Sequence, residues 1–309
     1  MYKRGGGFKK RFIRDWRLHV FMLLPLIYLA IFSYYPMFGV QIAFKNFSAA
    51  RGIWGSPWVG FRHFITFFSS FQFNRVVSNT IILSFYEIIA GFPLPIFFAL
   101  VLNTVRNKHF KKAVQTITYV PYFISTVVMV GMLWTFFSPI SGAYAYISRA
   151  LGFGNPPAMM GLAGTFRHLY IWSGIWQHLG WGTIIYIAAL STVNPELYEA
   201  AEIDGTSRWQ RIIYIDFFSI LPTAAILLIL RFGSVMSISF EKVFLMQTPL
   251  NLQTSEVIST YIYKVGLQTG GNYSFAAAIG LFNNIINLVL LLIVNKTARK
   301  LSSDEVGLL

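Results

Sequence analysis

Long apolar segments alternate with short charged segments along the whole chain. Six of them are about 20 residues or longer and cover residues 21–40, 77–103, 114–137, 169–193, 217–239 and 275–294. A helix of about 20 apolar residues crosses the hydrocarbon core of a bilayer and satisfies its own backbone hydrogen bonds there. The pattern therefore predicts an all-α integral membrane protein, with one domain of six transmembrane helices over residues 20–295.

The charged residues between these segments predict the orientation of the helices. Residues 1–19 form a basic arm with seven Lys or Arg, and further cations lie in the loops after the second and fourth segments and in the tail, 296–309. The side that holds the arm, these two loops and the tail has 16 Lys and Arg, the opposite side has eight, and Arg231 falls within an apolar segment. Because cytoplasmic loops are enriched in Lys and Arg, we expect a multi-pass protein of the cell membrane with both termini in the cytoplasm and the arm near anionic lipids.

Besides a loop rich in Gly and Pro at 138–165, two longer segments, 41–75 and 241–273, are then expected outside. The first carries phenylalanines at helical spacing, which predicts a short helix with an aromatic face made of Phe61, Phe64, Phe67, Phe68 and Phe71. Such a face fits a helix lying in the headgroup region, and it also fits a surface that docks a receptor; both interpretations stay open. The second segment is expected to be a loop.

The composition excludes several classes of protein. The 309 residues are 55% hydrophobic and 12% charged and include no Cys, which excludes a soluble domain, disulfides and thiolate metal sites. The net charge of +14 does not indicate a nucleic-acid partner, because the cations flank the apolar segments. The glycines at 5–7 lack the spacing of a phosphate-binding loop, and the five His lack the spacing of metal ligands. We expect no catalytic residue, metal or bound cofactor in this chain, and hence no enzyme.

A cytoplasmic loop at residues 194–218 is the one place where acidic residues cluster. Asn194 suits an N-cap, Pro195 suits the first helical position, and Gly205 suits a left-handed stop, so the loop predicts a helix of about ten residues. Four acids lie on it with small apolar residues between them: Glu196, Glu199, Glu202 and Asp204. A helix this short needs a surface to dock on, which indicates an interaction helix.

The loop also carries a motif: Glu199-Ala200-Ala201, then Gly205, then Ile215. It resembles the EAA loop of permease subunits in binding-protein-dependent ABC importers, although Phe217 and Phe218 replace the Leu and Pro that end the family pattern. The resemblance implies a bundle like that of the maltose permeases (type I importers), in which this loop is the coupling helix that enters a cleft of the ATPase. It assigns the contact with the ATPase to Glu199, Ala200, Ala201, Asp204, Gly205 and Arg208.

Three further segments, at 35–44, 91–95 and 115–121, are similar to permeases that import complex oligosaccharides into Gram-positive bacteria. This resemblance implies a second homologous permease, two ATPase subunits that bind ATP and Mg, an extracellular lipid-anchored solute-binding protein, and an oligosaccharide substrate, including one that contains uronic acids. Two alternatives stay open: a secondary sugar transporter, and a membrane-embedded enzyme acting on glycans or lipids.

The family places the substrate on the helices that flank the coupling loop. The residues with suitable aromatic, amide, imidazole, hydroxyl or charged groups on those helices are Trp172, Trp176, Gln177, His178, Trp181, Arg231 and Ser234; Glu87, in the second segment, is a further candidate. A charged group inside a membrane needs a partner or a wet cavity. Glu87 is thus either a structural group or part of the pathway, and Arg231 pairs either with Glu87 or with a carboxylate of the sugar.

Overall fold

The computed structural model describes the backbone of residues 15–301 and the side chains of residues 15–297. Most of the predicted basic arm and of the predicted tail lie outside the described residues. Within them the chain is helical, and the one pairing of extended backbone is an isolated antiparallel bridge between Lys45 and Trp58.

Twelve helices organise the described residues. They are α1 (Trp16–Phe44), α2 (Arg62–Phe68), α3 (Phe71–Asn103), α4 (Lys108–Phe123), α5 (Thr126–Phe136), α6 (Ala143–Ala150), α7 (Ala163–Leu190), α8 (Pro195–Ile203), α9 (Arg208–Gly233), α10 (Phe240–Met246), α11 (Ile258–Tyr263) and α12 (Tyr273–Leu301). Single helical turns add Gly52–Gly55, Met159–Gly161, Leu252–Ser255 and Lys264–Gln268.

Four of these helices, α1, α3, α9 and α12, are long and apolar enough to cross a membrane, and α4 with α5 makes a fifth if that bent pair counts as one span. Helices α1, α3, α9 and α12 correspond to the first, second, fifth and sixth predicted segments, and the bent pair α4–α5 corresponds to the third. The fourth lies in α7, a continuous helix of 28 residues. It packs against α3, α4, α9 and α10, and its Ser173, Gln177 and Thr183 are buried.

The third predicted segment, 114–137, is not one straight helix. Helices α4 and α5 meet at an angle of 98°. Ile124 has extended backbone, and the Ser125 side chain caps α5 by accepting from the N–H of Val128. The Gln177 amide donates to the Ile124 carbonyl at 2.7 Å, which satisfies the group freed by the break. The break depends on a partner from another helix, so an apolar run could not show it.

The fifth segment is also displaced. We predicted a span over 217–239 with Arg231 deep inside it, whereas α9 begins at Arg208 and ends at Gly233. Arg231 therefore lies in the last turn of the helix.

The outer segment 241–273 is not a loop. Most of it is helical, and Lys242 and Glu256 are each only 6% exposed. Glu256 accepts from Lys264 at 2.9 Å and from Arg75 of α3 at 3.3 Å. This buried carboxylate, held by two cations, fixes the segment against α3.

The aromatic helix of the other outer segment is α2. Phe64 and Phe67 are buried, and the Phe67 ring lies 5.6 Å from that of Phe282 on α12. Phe61, Phe68 and Phe71 are exposed. The five residues do not share one helix, because Phe61 precedes α2 and Phe71 begins α3. Two of the five phenylalanines of the predicted aromatic face are therefore protein core, which neither of the two interpretations anticipated.

Close approach between α7 and α4 depends on Gly180, and substituting it should destabilise the bundle. A Cβ at Gly180 would overlap the Thr118 carbonyl of α4, whereas a Cβ at Gly164 of the same helix would meet nothing within 4 Å. Helices in a membrane associate through such close packing. We expect Gly180→Ala to lower the free energy of unfolding by about 1–3 kcal/mol or more. The loss should be measured as a lower melting temperature in detergent. Gly164→Ala is the matched control and should melt like the wild type; equal melting of both variants would contradict the contact.

Candidate functional site

The acidic loop forms the helix that its sequence predicts. Helix α8 has nine residues, and the Asn194 side chain accepts from the N–H of Glu196 at 3.1 Å. At the other end Gly205 has φ of +69°. The N–H of Gly205 donates to the backbone carbonyl of Glu202 at 3.2 Å, and the N–H of Thr206 donates to that of Ala201 at 3.0 Å. This pair of hydrogen bonds closes a helix on a left-handed residue. The predicted cap and stop are confirmed.

Most of α8 is open to solvent. Of the residues predicted to contact an ATPase, Ala201 is 8% exposed and faces the bundle. The others are exposed: Glu199, Ala200, Asp204, Gly205 and Arg208. Leu197 and Ile203 are 51% and 87% exposed. The helix thus presents acidic and apolar groups together, a surface suited to docking another protein.

One contact joins α8 to the membrane helices through a buried carboxylate. Asp216 of α9 is 2% exposed, and its Oδ1 accepts from Tyr198 Oη at 2.6 Å and from Asn103 Nδ2 at 3.3 Å. Burial, followed by the hydrogen bond and the charge of Asp216, raises the pKa of Tyr198 to about 12, so the phenol stays a donor at neutral pH. Nothing in the sequence indicated this role, because Asp216 takes the variable position of the motif between Ile215 and Phe217.

A polar cavity of about 440 Å³ lies between α3, α7, α9 and α10. The predicted pathway residues that line it are Glu87, Gln177, His178, Trp181 and Arg231. Ser234 lines an adjoining cavity of about 760 Å³ together with Arg231 and Trp181. Six of the eight predicted residues are thus brought together.

Within this cavity Arg231 Nη1 lies 3.2 Å from Glu87 Oε1. The structure therefore contains the intramolecular pair that was one of the two alternatives for Arg231. The side chains are 54% and 42% exposed, so the pair is open to the cavity. A guanidinium has five N–H donors, and this contact uses only one of its nitrogens.

Lys242 is a charged residue of this cavity that was not among the predicted pathway residues. Its Nζ donates to the Tyr170 carbonyl at 2.8 Å and lies 4.8 Å from the centre of the Tyr170 ring. Space for the ammonium depends on Gly174, because a Cβ there would lie 3.0 Å from Nζ. We assigned Lys242 to an outer loop; the apolar residues around it, Phe240 to Met246, were the available signal for a packed helix.

The remaining predicted residues of the cavity already make contacts within the protein, some through hydrogen bonds and one through ring stacking. Gln177 is 5% exposed and donates to the Ile124 carbonyl, so it holds the α4–α5 break. Trp181 stacks on Tyr122 with ring centres 4.3 Å apart and an angle of 5° between planes. His178 Nδ1 lies 2.9 Å from the Gly174 carbonyl. Trp181 is 45% exposed and retains an open aromatic face.

Two predicted pathway residues lie elsewhere. Trp172 and Trp176 line a separate cavity of about 970 Å³ whose walls are mostly apolar. Trp172 Nε1 donates to Tyr86 Oη at 3.1 Å, and Tyr86 Oη lies 2.9 Å from His168 Nδ1. The structure thus separates these two indoles from the charged groups.

Comparison with known proteins relates this arrangement to transport permeases. Residues 91–303 match the family model described as binding-protein-dependent transport system inner membrane component. Protein LplB of Bacillus subtilis (strain 168) is 39% identical over 96% of this chain and 92% of its own. The polygalacturonan/rhamnogalacturonan transport system permease protein YteP of the same organism is 36% identical, with the same coverage.

The fold matches a solved transporter as well. One chain of a bacterial ABC transporter involved in the import of the acidic polysaccharide alginate superposes with a TM-score of 0.89 at 41% identity, covering 96% of this chain and 100% of that chain. The TM-score is also 0.89, at 40% identity, for the alginate transporter in complex with an alginate pentasaccharide-bound periplasmic protein, covering 98% of this chain and 100% of that chain.

Proposed function

This chain belongs to the family of binding-protein-dependent transport system inner membrane components, and on that premise we propose that it passes acidic oligosaccharides through the membrane. It is a permease subunit of an ABC importer and not itself catalytic. ATP binding belongs to the partner ATPase. The chain supplies a path for the substrate. It also supplies a surface through which ATP hydrolysis in the partner changes the conformation of that path.

The observation that carries the substrate proposal is the pair of cations in the polar cavity. Arg231 and Lys242 line it with one carboxylate, Glu87, which leaves one positive charge in excess. Arginine and lysine bind carboxylates through charge-assisted hydrogen bonds, and Trp181 offers an aromatic face to a sugar ring. The relatives named for polygalacturonan and alginate transport carry polyanionic saccharides, which agrees with this charge.

Helix α8 is proposed as the coupling helix that contacts the ATPase. Its support is the exposed acidic and apolar surface and the motif at residues 199–205. We propose six spans in a permease domain over 20–295, with α4–α5 as the third and α7 as the fourth. The coupling loop is 194–218, and the arm 1–19 and tail 296–309 are cytoplasmic. In this arrangement α3 runs inward and α9 outward.

The proposed assembly contains a second homologous permease, two ATPase subunits and an extracellular lipid-anchored solute-binding protein. The complex of the related alginate transporter with a saccharide-bound periplasmic protein supports a solute-binding protein as a partner. A chain whose apolar helices are as exposed as α1 also needs lipid or protein partners along its length.

Reconstitution tests this function directly. The permease, coexpressed with its proposed partners and placed in proteoliposomes, should copurify with an ATPase and import labelled acidic oligosaccharides only when ATP is present. Oligogalacturonides and alginate oligomers should raise ATP hydrolysis more than neutral malto-oligosaccharides of equal length. Uptake driven by an ion gradient without an ATPase would instead establish a secondary transporter.

A further inference from the structure

We infer that Asp216 is a positioning residue that ties the coupling helix to the two helices carrying the Glu87–Arg231 pair. The inference rests on the proposed function of α8. It concerns how motion passes between the cavity and the ATPase, which the exposed surface of α8 does not explain.

The argument begins with how little else holds α8. Seven of its nine residues are exposed, and its ion pair with the bundle, Arg106 to Glu202, spans 3.8 Å between side chains that are 77% and 72% exposed. Exposed ion pairs of this kind contribute little. By contrast, Asp216 is 2% exposed and accepts from Tyr198 Oη at 2.6 Å, a charge-assisted hydrogen bond to a buried carboxylate.

The same carboxylate also reaches a third element. Asn103, the last residue of α3, donates from Nδ2 to Asp216 Oδ1 at 3.3 Å and lies 3.5 Å from Tyr198 Oη. Arg211 of α9 covers the ring of Tyr198, with the guanidinium 5.3 Å from the ring centre. One carboxylate therefore joins α8, α3 and α9 at the cytoplasmic end of the bundle.

Local backbone geometry places this carboxylate. Asp216 lies within a π-helical turn at Ile212–Phe217 of α9. Such turns insert an extra residue into a helix and recur at functional sites. Asp216 takes the variable position of the family motif, directly before the two residues, Phe217 and Phe218, at which this chain departs from it.

Helices α3 and α9 are thus joined by polar contacts at two levels. Asn103 lies 16 residues after Glu87 on α3, and Arg231 lies 15 residues after Asp216 on α9. At about 1.5 Å per residue the two levels are roughly 24 Å apart. Displacement of one helix along the other changes both contacts together. A change at the Glu87–Arg231 pair is therefore passed to Tyr198 and α8.

The test is the stimulation ratio, which is the ATPase rate of the reconstituted complex with saccharide-loaded binding protein divided by the rate without it. Tyr198→Phe removes only the hydroxyl, and Asp216→Asn only the charge. Each should lower the ratio by about tenfold, the size of one charge-assisted hydrogen bond. Tyr214→Phe is the matched control, because Tyr214 lies on α9 with its side chain 69% exposed, and it should keep the wild-type ratio.

The ratio distinguishes positioning from support of the fold. A residue that merely stabilises the complex changes the yield and scales both rates together, which leaves the ratio unchanged. The double variant should be no worse than the worse single one, since both changes break one contact. Wild-type ratios in Tyr198→Phe and Asp216→Asn, or additive losses, would overturn the inference. A wild-type complex without any stimulation would instead refute the proposed function.

Discussion

Gly205→Val should abolish saccharide-stimulated ATP hydrolysis and uptake while the permease still inserts. At φ of +69° an L residue costs about 1–2 kcal/mol, and a β-branched one more. A Cβ at this position would meet nothing within 4 Å, so the expected loss comes from backbone conformation and not from a clash. A residue that leaves the left-handed region breaks the two closing hydrogen bonds and redirects the chain between α8 and α9.

Gly205→Asn is the matched control, because asparagine tolerates left-handed backbone. It adds a side chain of similar size at the same place and should retain most of the stimulated rate. Normal stimulated turnover in Gly205→Val, with ATPase and uptake both measured in proteoliposomes, would refute the assignment of α8 as the coupling helix.

Charge reversal on the exposed face of α8 tests the same assignment from the side of the ATPase. Glu199→Lys should lose stimulated hydrolysis and uptake, since it places a cation against the basic groove that we expect on the ATPase. Glu199→Gln removes the charge without reversing it and should lose less. Equal activity of all three proteins would mean that Glu199 does not face the ATPase.

Arg231→Gln should lower the preference for acidic over neutral oligosaccharides by about 10- to 100-fold. This is the range expected for the loss of one or more charge-assisted hydrogen bonds to a carboxylate. Stimulation by oligogalacturonides or alginate oligomers should fall by this factor relative to neutral malto-oligosaccharides, with assembly retained. The measurement is the saccharide dependence of ATP hydrolysis, with one saturated binding protein for each class of sugar so that the permease alone is compared.

Glu87→Gln separates the two roles of the pair by the sign of its effect. If Arg231 binds the sugar, the amide removes a carboxylate that opposes an anionic substrate, and stimulation by acidic oligosaccharides is kept or increased. If the 3.2 Å contact between Glu87 and Arg231 is purely structural, both variants lower the thermal stability of the complex without altering the order of substrates. An intact Arg231→Gln complex with no shift between acidic and neutral sugars would end the substrate hypothesis.

The local features of this protein were readable from its sequence. Asn194 and Gly205 act on neighbouring backbone groups, so the ends of α8 were predicted to within a residue or two. Helices α1, α3 and α12, which are long and apolar enough to cross a membrane, follow from composition, because a run of apolar residues in a bilayer has few alternatives to a helix. The resemblance at residues 199–205 named the family before any contact was known.

Only the tertiary structure decided which side chains meet. The break between α4 and α5 is held by Gln177, the room for Lys242 is made by Gly174, and the Asp216 carboxylate collects donors from residues 103 and 198. Each of these contacts joins residues distant in the chain, and a residue's type does not reveal its partner. Lys242 shows the difference most clearly, because a lysine between apolar segments predicts a loop cation. The packing of α10 against α7 makes it a buried charge beside the polar cavity. Burial depends on which residues pack around a side chain, and the sequence does not state those neighbours.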